Sequence, residues 1–385
     1  MRVVIAIDSF KGSLTSMEAG YAAREGILRA VPDAEVIIRP LADGGEGTAE
    51  ALIEGLGGRF VTADVTGPYG GRVRARYGIL KDNTAVMEMA EAAGLHLTVP
   101  YDLHPDIATT YGVGEMILDA VKQGCRNFII GIGGSATIDG GVGMLQALGY
   151  EFSDINGYPI PFGIDPLDRI EKISSDNVIP ELWECHFQIA CDVRSPLCGE
   201  NGAVYVFGPQ KGVKENEKEV LDKKMRHYAD KTAEFIGTDD RAAAGAEAPG
   251  AEAPGAGAAG GLGFAFLSYM KNVELRPGAE IVLQAVGLEN AVKDSDVVIT
   301  GEGRLDSQTA MGKAPMGIAR LGKKYGRKVI AFAGSVSGDA EKCNEEGIDA
   351  FFPILREVTT LEEAMDKETA KKNLALAVEQ VFRLI

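Results

Sequence analysis

Apolar residues fall in two rhythms along this chain, and the rhythms sort it into strands and helices. Continuous apolar runs at RVVIAID (2–8), EVIIRPL (35–41), DVVIT (296–300), KVIAFAG (328–334) and AFFPIL (350–355) predict buried strands. Between them, apolar positions recur at helical spacing, which predicts helices over 15–31, 46–57, about 313–325, about 339–346 and about 361–384. Thr15 with Glu18 three residues on has the spacing of a capping box, and Gly57 that of a helix stop. Apolar strands alternating with helices imply a parallel sheet covered on both faces.

The middle of the chain has a different rhythm. GRFVTADVTGPYGGRVRARYGIL (58–80) alternates as a hairpin does, with PYGG at its turn. TAVMEMAEAAGL follows, then a helix at 111–125, a strand–loop–helix at 128–149, a buried strand at 186–193 and a long amphipathic helix at about 215–236. The reading is an α/β protein of two domains. A doubly wound parallel-sheet domain, residues 1–61 and 276–385, is interrupted by a second α/β domain at 62–275, with the ligand site expected in a cleft between them. Residues 242–261 are of low complexity and carry AEAPG twice in tandem. Their Ala, Pro and Gly content predicts a mobile, dispensable linker over 242–254. The GAGAAGGLGF that follows is expected to be ordered, its glycines bringing backbone against a ligand.

Composition narrows the partners. At 385 residues two domains are the default, and 45% hydrophobic with 25% charged residues is a globular balance. Thirty-nine basic against 56 acidic residues leave a net charge of −17, with an isoelectric point near 4.8. That field opposes nucleic acid and anionic membrane as partners and leaves room for a small anionic substrate in a locally positive pocket. MRVVIAIDSF reads as a strand, not a leader peptide, and no apolar run has the length of a membrane span. Five scattered cysteines without a CxxC pair, and only four histidines, argue against a zinc cluster or a disulfide framework. A reduced, cytoplasmic protein is expected; self-association is left open.

The chemistry-bearing residues gather where predicted strands end. DSFKGSL places Ser9 and Lys11 after the first strand, and ADGGEGT places Asp43 and Glu46 after the second. FIIGIGGSATIDGG supplies Gly133, Gly134, Ser135, Thr137 and Asp139, while QIACDVRSPLCG supplies Asp192 and Arg194. After DVVIT, GEGRLDSQTAMGKAP is read as a sharp turn through two glycines into a helix start, with Arg304, Asp306 and Lys313 around it. Ligands of open α/β sheets bind beyond the carboxyl ends of the strands, so these loops together predict a polyphosphate or anion site. Gly312-Lys313 is followed by Ala314, so no Walker A loop is present. GIGGSA (131–136) fits a dinucleotide fingerprint but lacks a convincing second strand ending in Asp or Glu at the ribose distance, although Glu151 lies nearby. No GxSxG elbow exists, and the histidines have no nucleophile partner. Carboxylates, lysine, arginine and glycine loops remain, which is the toolkit of phosphoryl transfer. An NAD-dependent hydroxy-acid dehydrogenase and a non-catalytic nucleotide or organic-acid sensor stay open at this point.

Taken in order, DSFKGSL, PLADGGEGT, GIGGSATIDGGVGMLQALG, CDVRSPLCGENGA, FGPQKG, PGAGAAGGLGF and GEGRLDSQTAMGKAP resemble the type I glycerate kinase family. The blocks run from residue 8 to about 317, with the AEAPG expansion as the main departure. The resemblance implies a flavodoxin-like domain interrupted by the other domain. It also implies ATP- and Mg²⁺-dependent phosphorylation of D-glycerate, to 2-phosphoglycerate in the bacterial members, within glyoxylate, glucarate or galactarate use. Carried across by position, it makes Lys11 and Arg304 cations for phosphate or the glycerate carboxylate, with Ser9 beside them. Asp43, Glu46 and Asp306 become hydroxyl- or magnesium-binding groups, Asp43 and Asp306 being the metal candidates. Gly133, Gly134 and Ser135 become the nucleotide-phosphate cradle, with Lys313 added. Asp192, standing at the end of an apolar strand, is expected to be partly desolvated and to act as the general base.

Overall fold

The computed structural model describes residues 1–237, 250–306, 309 and 314–385. The chain divides into two compact units, one of residues 1–43, 50–57 and 279–385, the other of residues 44–49 and 58–278. In chain order the strands are β1 (Arg2–Ile7), β2 (Glu35–Ile38), β3 (Gly58–Thr66), β4 (Arg72–Leu80), β5 (Thr84–Glu88), β6 (Asn127–Gly131) and β7 (Glu151–Ser153). β8 (Lys172–Ser174), β9 (His186–Ala190), β10 (Asn272–Arg276), β11 (Val297–Leu305), β12 (Lys328–Val336) and β13 (Ala350–Pro353) complete them.

The first unit is one parallel sheet in the order β13-β12-β11-β1-β2. One face of the sheet, through Val3, Ile5, Ile7, Ile299 and Phe332, packs on helices Ser16–Ala30 and Lys367–Phe382. On the other face, helix Ala314–Lys324 lies over β12, where Gly322 meets Val329. Buried on both faces, the strands can be apolar throughout. Thr15 and Glu18 exchange bonds of 3.2 Å each way, the capping box that their spacing predicted, for about 1 kcal/mol of helix stability. The Ser16 hydroxyl donates to the Ile7 carbonyl (2.6 Å) and accepts from the Leu41 N–H (2.8 Å), which ties the ends of β1 and β2 to the helix start.

The sequence reading of GEGRLD needs correction. The chain does not turn at Gly301; β11 runs on to Leu305, paired with β12 from Gly301↔Phe332 to Leu305↔Val336. Glycine permits this because a β-carbon at 301 would stand 2.0 Å from the Phe332 carbonyl oxygen. Glu302 and Arg304 are therefore strand residues, and a period of two puts them on one face. The expected final helix is likewise two, Leu361–Met365 and Lys367–Phe382, because Asp366 leaves the helix to cap the second one at Thr369 N (2.8 Å).

The second unit is a mixed six-stranded sheet, β10-β9-β6-β5-β4-β3, parallel from β10 to β5 and antiparallel through the β3–β4 hairpin. Its core contains Phe128, Phe187, Phe266, Tyr150 and Tyr269. The linker expectation at 242–254 is corrected in part. Residues 238–249, with all of the first AEAPG except its final Gly250, lie outside the described residues. The second AEAPG is packed: Ala251 and Ala253 lie against the core, and the Ala251 carbonyl accepts the Leu197 N–H (2.7 Å). The glycines after it do bring backbones together, but the partner is the chain itself. The Gly140 N–H donates to the Gly260 carbonyl (3.0 Å), and a β-carbon at 260 would meet the Thr137 carbonyl at 2.0 Å.

Gly26 tests how tightly the terminal helices close. A β-carbon there would stand 2.2 Å from the Ala375 carbonyl oxygen. Helix propensity favours Gly26→Ala by roughly 1 kcal/mol, whereas overpacking against backbone costs roughly 1–3 kcal/mol. Packing should win, so the variant should unfold at lower urea than wild type. A stabilised variant would show that the two helices have room to part.

Candidate active site

Parallel pairing of β1 with β11 places Ile7 beside Gly301, and the Asp8 N–H donates to the Gly301 carbonyl (2.8 Å). The loop after β1 and the far end of β11 are thereby brought to one place. They line a cavity of about 460 Å³ in the first unit, formed in part by Asp8, Ser9, Lys11, Asp43, Glu302, Arg304 and Asp306. Of the residues singled out in the sequence, Ser9, Lys11, Asp43, Arg304 and Asp306 meet here. Glu46, Gly133, Gly134, Ser135 and Asp192 belong to the second unit. Lys313 lies outside the described residues.

Two carboxylates in this cavity carried no role in the sequence reading. Asp8 is pushed up from the ordinary carboxylate range to about 7, chiefly by burial. The Asp43 and Glu302 charges add to the rise, while the Ser9 N–H bond (2.7 Å) and Lys11 oppose it. Glu302 is 8% exposed and accepts the Thr309 hydroxyl at 2.5 Å. Thr309 also exchanges bonds of 3.2 Å with Asp306, whose Oδ2 lies 3.7 Å from Arg304 Nε. The Arg304 side chain is 69% exposed and Lys11 is exposed too, so both cations are open to a ligand. Signals for Asp8 and Glu302 existed: each ends or continues an apolar strand, and pairing those strands forces the two acids together.

In the second unit, Gly133 is exposed and Gly134 sits at φ +71°, while Ser135 is buried. Beneath that turn lies Lys211, 2% exposed, donating to Ser135 Oγ and to the Thr137 carbonyl, each at 2.7 Å. Burial pulls the Lys211 ammonium down to about 7, with Asp139 opposing. Asp139 is fully buried and accepts from Thr110 N (2.8 Å), Thr110 Oγ1 (2.9 Å), Gly141 N (3.2 Å) and Gly143 N (3.2 Å). FGPQKG was quoted in the sequence without a role for its lysine; burial beneath a loop remote in sequence leaves no local pattern. Glu88, also without a role there, accepts the N–H groups of Gly47 (3.3 Å) and Ala49 (3.1 Å) beside Glu46.

Asp192 departs from expectation. β9 stops at Ala190, so Asp192 stands two residues beyond the strand, exposed, with Oδ1 accepting the Gly278 N–H at 3.1 Å. The burial expected of it is absent. Among the described residues, no three His, Cys, Asp or Glu side chains come together as a metal cage, and no helix is long and apolar enough to cross a membrane.

An α/β fold that gathers carboxylates and cations around an open cavity at the ends of its strands suits a small anion. Known proteins make the class specific. The sequence pattern of the glycerate kinase family matches residues 3–385. A glycerate kinase of Haemophilus influenzae is 43% identical over 386 residues, covering 100% of this chain and 99% of that one. The glycerate 2-kinase of Escherichia coli K12 is 45% identical over 365 residues, covering 94% and 93%. A crystal structure of a candidate glycerate kinase 2 from Salmonella typhimurium LT2 superposes with a TM-score of 0.89 at 41% identity, covering 100% of this chain and 98% of that one. The chain belongs to the glycerate kinase family, as its seven sequence blocks led us to expect, and it is a kinase.

The Asp8 environment has a consequence for stability. Its folded pKa of about 7 lies above its ordinary value of 3.8, so the folded state holds a proton that the unfolded state releases. Stability is therefore lost as pH rises from about 4 to about 7, on the order of 4 kcal/mol in all. Asp8→Asn removes that loss and keeps an acceptor for Ser9. Urea unfolding should find the variant about 2–4 kcal/mol more stable than wild type at pH 8 and within about 1 kcal/mol of it at pH 4.5. An equal difference at both pH values would mean that Asp8 titrates like an exposed aspartate.

Proposed function

We propose that the protein transfers the γ-phosphoryl group of ATP to D-glycerate, giving 2-phosphoglycerate, in a cytoplasmic route of organic-acid catabolism that draws on glyoxylate, glucarate or galactarate. The observation that carries this reading is the first unit's cavity, where Lys11 and Arg304 stand exposed beside the raised carboxyl of Asp8. Sheet order supports a flavodoxin-like domain for that unit, since by position in the unit its strands run 2-1-3-4-5. A second compact unit of residues 44–49 and 58–278 supports reading 62–275 as an interrupting α/β domain.

Each side chain then has a task. Lys11 and Arg304 neutralise the phosphoryl group and the glycerate carboxylate. Ser9, Asp43 and Glu46 hold hydroxyl groups of the acceptor. Gly133, Gly134 and Ser135 cradle nucleotide phosphates, the exposed backbone of Gly133 being open to them and Lys211 bracing Ser135 from beneath. Lys313 adds a cation. Asp43 and Asp306 fit magnesium as it is usually held, by one or two carboxylates together with substrate phosphates, without a dedicated protein cage. Bound there, the ion would offset charge on the phosphates.

The acceptor hydroxyl must lose its proton as its oxygen bonds to phosphorus. A base serves best when its pKa lies near the working pH, and Asp8 at about 7 meets that condition. We therefore place the base role at Asp8 and give Asp192 a structural one through the Gly278 N–H. Incubation with Mg-ATP should yield ADP only when D-glycerate is present, and phosphorus NMR should report the 2-phosphate. ADP release that ignores glycerate would end the kinase reading. Asp8→Asn should lower kcat by roughly 10²–10⁴-fold with modest change in KM for glycerate, while Asp192→Asn keeps most of kcat and loses thermal stability. The reverse pattern would return the base to Asp192.

A further inference from the structure

The cavity of the first unit holds more than the acceptor requires. At about 460 Å³ it lies in the range of drug-sized ligands, roughly 300–1,000 Å³. Glycerate bears oxygen on every carbon and has no apolar face to bury. Yet part of the wall is apolar: Phe10 and Ile354 are buried, while Leu355, Leu361 and Met365 stay exposed beside them. Leu361 is 77% exposed at the edge of this wall, so its side chain is open to a ligand.

The wall and the cations are joined locally. Gly12, next to Lys11, takes a left-handed φ of +82°, and a β-carbon there would stand 2.5 Å from Met365 Cε. The loop that carries Lys11 therefore rests on the methionine. A ligand covering Met365 and Leu361 would reach Lys11 with whatever charge it carries. An apolar planar face joined to an anionic chain is the chemistry of a nucleotide, and thioethers make favourable contacts with aromatic rings.

We propose that Leu355, Leu361 and Met365 receive the purine ring of the phosphoryl donor, with Lys11 and Arg304 meeting its phosphates. This rests on the kinase reading and adds to it the residues that recognise the donor's base. The wall selects a nucleotide over a bare polyphosphate, since burying the ring against it adds apolar contact that pyrophosphate cannot make.

The test is Leu361→Ser, a neutral change at an exposed position that leaves Met365 under the Lys11 loop, with ADP and inorganic pyrophosphate titrated separately by calorimetry without acceptor. ADP affinity should fall roughly tenfold, in line with lost apolar pocket contacts, while pyrophosphate affinity stays within about twofold. KM for D-glycerate should stay within about twofold as well. Unchanged ADP affinity, equal weakening of both ligands, or a rise in KM for glycerate alone would each overturn the proposal. Circular dichroism and urea unfolding of the variant separate loss of fold from loss of the wall. Failure of the kinase reading would show instead as wild-type enzyme that binds ADP but does not phosphorylate glycerate.

Discussion

The register between β1 and β11 is the constraint on which the site depends. Val3 pairs with Val297 and Ile7 with Gly301, so Asp8, just beyond β1, comes to lie beside Glu302, which is still within β11. A slip of one residue would turn every side chain of a strand to the other face and part Asp8 from Glu302. Hydrophobic burial over the length of the strands thus offsets the cost of bringing two carboxyl groups together at their end.

That cost explains the chemistry there. Like charges and burial raise Asp8, and the nearby Lys11 limits the rise. The result is a carboxyl that exchanges a proton near neutral pH, within reach of exposed cations that suit an anionic ligand. Local instability of this sort is common where a protein must act on a substrate. The second unit solves a related problem by other means. Asp139 is satisfied by four donors, and Lys211 by a hydroxyl and a carbonyl, so their burial shapes a loop and leaves no charge exposed.

Much of the fold was legible because strand and helix periods are local. The alternation of apolar runs with helical spacing located the strands of the parallel sheets, and Thr15 with Glu18 marked a helix start that the structure shows. Less legible were features that arise from pairing. GEGRLD looked like a turn because two glycines usually permit one, but β12 lies alongside and keeps the strand extended. The second AEAPG looked like a linker by composition, yet its carbonyl and methyl groups found partners in the core. Of the site, strand-end residues such as Ser9, Lys11 and Arg304 stood out by type and position. Asp8 and Lys211 did not, because their properties come from burial by residues far away in sequence. Asp192 was expected to be partly buried, but adjacency to an apolar strand does not bury a residue that lies beyond the strand's last pair.

The account stands on the protonation of one carboxyl. Carbon-13 NMR of aspartate-labelled protein, with the Asp8 resonance assigned by its absence in Asp8→Asn, would follow that carboxyl directly through pH 3–9. A midpoint near 7 is predicted from its burial between Asp43, Glu302 and Lys11. A midpoint near 4, the range of an exposed aspartate, would contradict it and remove the ground for proposing Asp8 as the base.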